Sequence, residues 1–311
     1  MFSPHPSVPV PVSLLIPCFQ SARDLPNVVE AARAQTTPFA EILVYDDAST
    51  DGTAEVARSL GLAVEIGADH LGMGHACNRL VAQAKADWVY VHEPGVELST
   101  AFVSELQVAC SARHDVMLIP DAPLDSERHR TPLSPEPTPA PLDLVERWLV
   151  QGAPMSTAVF NRDRWLVMGG CDPRLSAWSA ADLLIRLALD GAAFTTMPSR
   201  QVGESPPRAT GRDRLLFLEK QASDPRLARF RPVLAALAES TAVASIEERD
   251  LSAAATAVRL AQRLGSRPPS SRRPAWSLLR PWVPGLALLR LQTWWRRTRS
   301  DRREAGPVET A

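Results

Sequence analysis

Two corners of this sequence carry residue types that can do chemistry. In "LVYDDASTDGT" (43–53) an apolar run ends in Asp46 and Asp47. Buried neighbouring aspartates repel, and one tends to take a proton unless N–H donors from a ligand or from the next turn meet them. Ser49, Thr50, Asp51 and Gly52 provide such a turn. The reading for Ser49, Thr50 and Asp51 is the cap of a following helix; for Asp46 or Asp47 it is contact with a ligand. In "ADWVYVHEPGVELS" (86–99) the apolar run Trp88–Val91 gives way to His92 and Glu93, both able to ligate a metal, and then to the strand-breaking pair Pro94 and Gly95. Polar groups just beyond the carboxyl end of a buried strand sit where open α/β sheets bind ligands.

The segments around these corners alternate. "VSLLIP" (12–17), "EILVYDD" (41–47), "AVEIG" (63–67), "DWVYV" (87–91) and "DVMLIP" (115–120) read as strands. Between them, "DLPNVVEAARAQ" (24–35) reads as a helix with Asp24 as N-cap and Pro26 in its first turn. A second helix closes at Gly61, a third surrounds "GHACNRLVAQAKA", and a fourth covers about 100–111. Alternation of this kind predicts an α/β fold with a mostly parallel sheet flanked by helices. The Pro-rich stretch 120–143 is a long loop. A helix at "LVERWLVQG", a strand at "STAVFN" and the segment "RWLVMGGCDPRLSAWSAADLLIRLALDGAAF" follow. The expected organisation is an α/β domain over 1–205, a helical extension over 206–265 and an Arg- and Trp-rich tail over 266–311.

Composition narrows the classes. With 45% hydrophobic and 22% charged residues in 311, the chain can bury a sizeable core. A net charge of −1 gives no support to a nucleic-acid partner. Cys18, Cys77, Cys110 and Cys171 form no C-x-x-C pair, which suits free thiols in a reducing cytoplasm. The N-terminal stretch lacks the basic start of a signal peptide, and no apolar run is as long as a membrane span. "GMGHAC" (72–77) begins like a dinucleotide fingerprint, but Cys77 replaces its third glycine and it follows the third strand, so NAD is rejected. His70, His75 and His92 lack a cysteine partner at ligand spacing and are read as surface or capping residues rather than a zinc triad.

Taken in order, "VSLLIPCFQSARDLPNVVEAARAQ", "EILVYDDASTDGT", the helix with Asn78, "AKADWVYV", "VFNRDRWLVMGGCDPRL" and "DLLIRLALDG" resemble the family 2 glycosyltransferases over roughly 12–200. The resemblance implies a GT-A, Rossmann-like fold and transfer of a sugar from a nucleoside diphosphate to an acceptor hydroxyl, with inversion and a divalent metal, Mn or Mg. It places Pro17 and Phe19 beside the nucleobase, Asp46 or Asp47 on the base N–H or ribose, and Asn78 in the helix lining the donor site. It also assigns Gly169, Gly170 and Asp172 to a structural turn and Trp178 to an acceptor pocket. The sequence departs from the family at several points. Gln20 and Ser21 replace Asn-Glu, and Cys77 stands where an Arg is frequent. The metal-binding Asp-x-Asp becomes His92-Glu93-Pro94, leaving His92 and Glu93 (or Glu97, in a shifted register) as ligands. Ser179 and Ala180 stand in place of Glu-Asp, leaving Asp182 as a surrogate base. Two readings stand: glycosyl transfer to a cell-surface polysaccharide or lipid-linked glycan, or an inactive nucleotide-binding or scaffold subunit of a glycan assembly system.

In the tail, "WSLLRPWVPGLALLRLQTWWRRTRSDRR" (276–303) holds four of the eight tryptophans. Pro284, Ala287, Leu288, Leu291 and Trp295 share one helical face, with Arg290, Arg296, Arg297 and Arg299 mostly opposite. Aromatics flanked by arginines suit an anionic membrane surface, with docking on a protein as the rival. The expected location is the cytoplasm, peripheral at the inner face of the plasma membrane.

Overall fold

The apolar runs form a seven-stranded mixed sheet. A computed structural model of the protein describes residues 10–93, 96–109, 114–119, 140–197 and 210–266. By internal packing the chain divides into two compact units, Met1–Ala209 and Thr210–Ala311.

In the first unit the strands are β1 (Val12–Cys18), β2 (Glu41–Asp46), β3 (Val64–Ile66), β4 (Trp88–Val91), β5 (Val116–Leu118), β6 (Ala158–Asn161) and β7 (Phe194–Thr196), in the sheet order β3-β2-β1-β4-β6-β5-β7. All seven residues of β1 are buried, as its unbroken apolar run requires for a strand covered on both faces. β1 pairs in parallel with β2 and β4, β2 with β3, and β5 with β7. β6 runs antiparallel to both β4 and β5. The sheet is therefore mostly parallel, as expected, with one reversed strand inserted between β4 and β5.

The helices of this unit are α1 (Leu25–Arg33), α2 (Thr53–Ser59), α3 (Met73–Gln83), α4 (Phe102–Ala109), α5 (Pro141–Gln151), α6 (Arg162–Val167) and α7 (Ser179–Leu189). α1 carries its proline in the first turn, but the Asp24 side chain makes no capping bond. Gly61 follows α2 at φ 74°, the left-handed conformation that glycine adopts without a Cβ penalty. Leu14, Ile16, Val44, Tyr90, Phe102 and Met117 lie in the core cluster. Phe160 and Trp165 meet edge to face at 4.9 Å.

The order matters for the site. The chain runs β1 to β2 to β3 outward on one side, then returns to β4 on the other side of β1. That reversal makes the carboxyl ends of β1 and β4 a topological switch point, with β2 alongside.

The second unit carries α8 (Gly211–Ser223), α9 (Arg231–Glu247) and α10 (Leu251–Arg263). Thr210 and Asp213 form a reciprocal capping box on α8. α10 buries Ala253, Ala257, Leu260 and Ala261 along one face. No helix among the described residues is long and apolar enough to cross a membrane. The Pro-rich loop up to 139, Pro94 with Gly95, and the tail segment 276–303 lie outside the described residues.

Candidate nucleotide site at the carboxyl edge of the sheet

Three loops and one strand end converge at the switch point. The loop after β1 carries Phe19, which is 46% exposed. Its backbone is held by the turn after β2. Gln20 N donates to Ser49 Oγ at 2.9 Å and Gln20 Nε2 to Thr50 Oγ1 at 3.0 Å. Ser21 N donates to Thr53 Oγ1 at 2.9 Å, and Ala22 N to Asp51 Oδ2 at 2.9 Å. Ser49, Thr50 and Asp51 were expected to cap α2. The N-cap is instead Gly52, with no side-chain cap, although Asp51 Oδ1 accepts from Thr53 N at 3.1 Å. Their main work is to brace the β1–α1 loop, a partner about thirty residues away that no local pattern announces. The hydrogen bonds from Thr53 and Ala22 hold the Asp51 carboxyl below its ordinary range.

Asp46 and Asp47 are both buried. Asp46 Oδ1 accepts from Ser49 N at 3.1 Å within its own turn. Asp47 reaches across to the β3–α3 loop, accepting from Leu71 N at 3.0 Å and Gly72 N at 2.6 Å. Its Oδ2 also lies 2.8 Å from His70 Nδ1. Protein donors therefore meet both carboxylates, which answers the repulsion expected of such a pair. The His70 ring stacks on Phe19, with centroids 3.7 Å apart and planes at 23°. Phe19, Asp47 and His70 thus form one corner. His70 was read as a surface or capping residue; its side chain is half exposed, but it belongs to this corner. Pro17 sits in β1 opposite Tyr45 and is buried.

Asn78 turns from this edge to the segment between α6 and α7. Its Oδ1 accepts from Cys171 N at 2.8 Å and Trp165 Nε1 at 3.3 Å, and its Nδ2 donates to Cys171 O at 2.8 Å. The amide thereby fixes the Gly169–Gly170 turn, whose glycines have φ 76° and 71°. A Cβ on Gly170 would run into Asn78 Oδ1. Asp172 caps the next short turn by accepting from Arg174 N at 3.1 Å, the structural part expected of it. Gly74 belongs to the same contact, because a Cβ there would stand 3.3 Å from Asp172 O.

The strand-end corner has a different chemistry. His92 extends the β4–β1 ladder, its N donating to Leu15 O at 2.9 Å. The residue is 1% exposed, its Nδ1 has no hydrogen-bond partner, and burial pushes its pKa down to about 4. Glu93 Oε2 accepts from Ser156 N at 2.9 Å and from Ser156 Oγ at 2.8 Å. Mn²⁺ and Mg²⁺ are held mainly by oxygen ligands, with carboxylates at the centre of the set. Here the carboxylate beside His92 is committed to Ser156, and Glu97 is exposed farther along. No group of three or more His, Cys, Asp or Glu residues among the described ones is placed to hold a metal ion. Among the described residues, His92 and the Ser156-bound Glu93 do not by themselves make the oxygen-rich set such a cation takes.

Asp182 lies in the first turn of α7 and is fully buried. Its Oδ2 accepts from Arg186 Nε at 2.9 Å, while Arg186 Nη1 and Nη2 donate to Met168 O at 2.6 Å and Gly170 O at 2.5 Å. Asp182 therefore anchors the arginine that closes the Gly169–Gly170 turn. Ala180, two residues earlier, where the resemblance puts the base, carries no side-chain proton acceptor. Trp178 is largely buried, with the face of its ring against Gly152.

Residues 13–154 match the model of a family described as glycosyl transferase family 2. Among solved structures, TarS 1-349 of S. aureus in complex with UDP-GlcNAc matches with a TM-score of 0.56 at 13% identity, over 81% of this chain and 92% of that one. The mannosyltransferase PcManGT from Pyrobaculum calidifontis, in complex with GDP-Man and Mn²⁺, matches with a TM-score of 0.57 at 19% identity, over 94% and 85%. At these identities the likeness carries the fold, which is that of the GT-A glycosyltransferases. No curated protein matches the chain.

Proposed function

For a chain whose residues 13–154 match the model of glycosyl transferase family 2, we propose that the carboxyl edge of β1, β2 and β4 binds a nucleoside-diphosphate sugar. The reaction proposed is transfer of the sugar to a hydroxyl of a glycan or lipid-linked acceptor. The observation that carries the reading is the corner at the switch point. Phe19 offers an exposed flat ring, and the buried carboxylate of Asp47 offers acceptor oxygens beside it. A nucleobase with a ring N–H next to a carbonyl, as in uracil, thymine or guanine, matches that pair by stacking and by donation. Pro17 near the end of β1 and Asp46 at the end of β2 are proposed to line the same site. Asn78 supports the site by holding its far wall.

A second reading, binding without transfer, is favoured by two specific observations. The Asp182 carboxylate is engaged by Arg186 inside the protein, and Glu93 is engaged by Ser156. A base must reach the acceptor hydroxyl, and neither carboxylate is presented for that. Trp178, packed on Gly152, serves this reading as core and the first reading as pocket wall.

The test is calorimetric titration with UDP, GDP and dTDP, with and without Mn²⁺, followed by assay of donor hydrolysis. Binding accompanied by turnover that falls in Asp182→Asn supports transfer. Binding without turnover supports the second reading. No binding at millimolar nucleotide removes both. The segment 276–303 is proposed, from its sequence alone, to lie on an anionic membrane surface where lipid-linked acceptors reside.

A further inference from the structure

We propose that His70 competes with the nucleobase for this corner, so that its imidazole sets both the affinity and the base preference of the donor site. The inference rests on the nucleotide reading of Phe19 and Asp47. Two features of His70 duplicate what a base would do there, and a third lets it leave. Its ring lies 3.7 Å from the Phe19 ring, with planes at 23°, a stacking separation for flat heterocycles. Its Nδ1 is 2.8 Å from Asp47 Oδ2, where the ring N–H of a uracil, thymine or guanine would donate. Its side chain is 52% exposed, so swinging it into water sacrifices little burial.

The loop that carries His70 does not have to move with it. Leu71 N and Gly72 N stay bound to Asp47 at 3.0 and 2.6 Å whichever way the imidazole points. Displacement is a rotation of one side chain. A base that supplies both a flat face and a ring N–H recovers what His70 gives up. Cytosine and adenine have no such ring N–H at neutral pH and recover only the stack. The competition therefore sharpens selection for the N–H-bearing bases.

The consequence is measurable, because an occupant that must be displaced lowers apparent affinity by the fraction of chains in which it is seated. In the full chain, His70→Ala is expected to bind UDP or GDP roughly three- to tenfold more tightly than the wild type. Phe19→Ala weakens binding, and His70→Ala added to it gives back much less than it does alone. In the wild-type protein, the imidazole carbon-bound proton signals of His70 shift downfield on saturation with nucleotide, as the ring leaves the shielding face of Phe19. Weaker or unchanged affinity in His70→Ala overturns the proposal, making His70 a direct contact or a bystander. Unmoved His70 signals at saturation overturn it as well. If neither protein binds any nucleotide at millimolar concentration, the nucleotide reading itself has failed, and the competition falls with it.

Discussion

At the residue scale, burial of His92 has a definite sign. Its folded pKa of about 4 lies below the ordinary 6.5, so between those values the unfolded chain binds the proton that the folded chain refuses. This histidine's contribution to stability is therefore lost as pH falls from 6.5 to 4, by about 3 kcal/mol in all. Urea unfolding of wild type and His92→Asn at pH 7, 5.5 and 4 should show a shallower acid slope in the variant. Coincident slopes would mean that the imidazole is hydrated. Thr53 is a second case. Its buried hydroxyl accepts from Ser21 N and donates to Asp51. Thr53→Val keeps the shape but strands the Ser21 N–H, at a cost of about 1–3 kcal/mol. The same change should loosen the loop carrying Phe19 and weaken nucleotide binding, both read from one titration series at several urea concentrations. The Asp46–Asp47 pair was legible in the sequence as a polar corner on a strand end. The Phe19–His70 stack was not, because ring contact between residues fifty positions apart depends on how two loops meet.

At the element scale, the turn between α6 and α7 is held from two sides, by Asn78 of α3 and by Arg186 of α7. Gly170→Ala asks an L side chain to adopt φ 71° and pushes its Cβ into Asn78, so a loss of about 1–3 kcal/mol is expected in thermal or chemical unfolding. Arg186→Met removes the guanidinium that bonds the buried Asp182 and two turn carbonyls, and should cost more, about 3–5 kcal/mol. If Arg186→Met proves the milder of the two, the Asp182–Arg186 pair is not the anchor described. Six of the seven strands and most of the helices could be read from periodicity and from Gly and Pro placement; β7 was not, and the glycine turn came from the family resemblance. The reversal of β6 could not. A run such as "STAVFN" has the same alternation whichever way it enters the sheet.

At the scale of the whole molecule, the sheet order gathers the loop after β1, the turn after β2, the loop before α3 and the end of β4 at one edge. The chain visits those places over more than seventy residues, and the family match over 13–154 spans all of them. The segment 276–303 adds an expectation of its own. The full chain should sediment with phosphatidylglycerol-rich vesicles at low salt and be released as salt rises, since screening weakens arginine–headgroup attraction. A chain ending at residue 275 should stay in the supernatant. Equal sedimentation of both chains would remove the membrane proposal.

The sequence by itself determined the α/β alternation, the buried parallel strands and the resemblance to a family whose model matches residues 13–154, because these follow from local apolar patterning and from short ordered motifs. It also put Pro94 and Ala180, by resemblance, where a metal ligand and a base would stand, and neither side chain can take those roles. Only the tertiary structure decided what the remaining polar groups are doing. Glu93 is spent on Ser156, Asn78 on Cys171, Asp182 on Arg186, and Asp47 on the loop that brings His70 over Phe19. The physical reason is common to all four. A buried or half-buried polar group must find a partner, and for most of these the partner lies dozens of residues away, where only packing of the sheet and its loops can supply it.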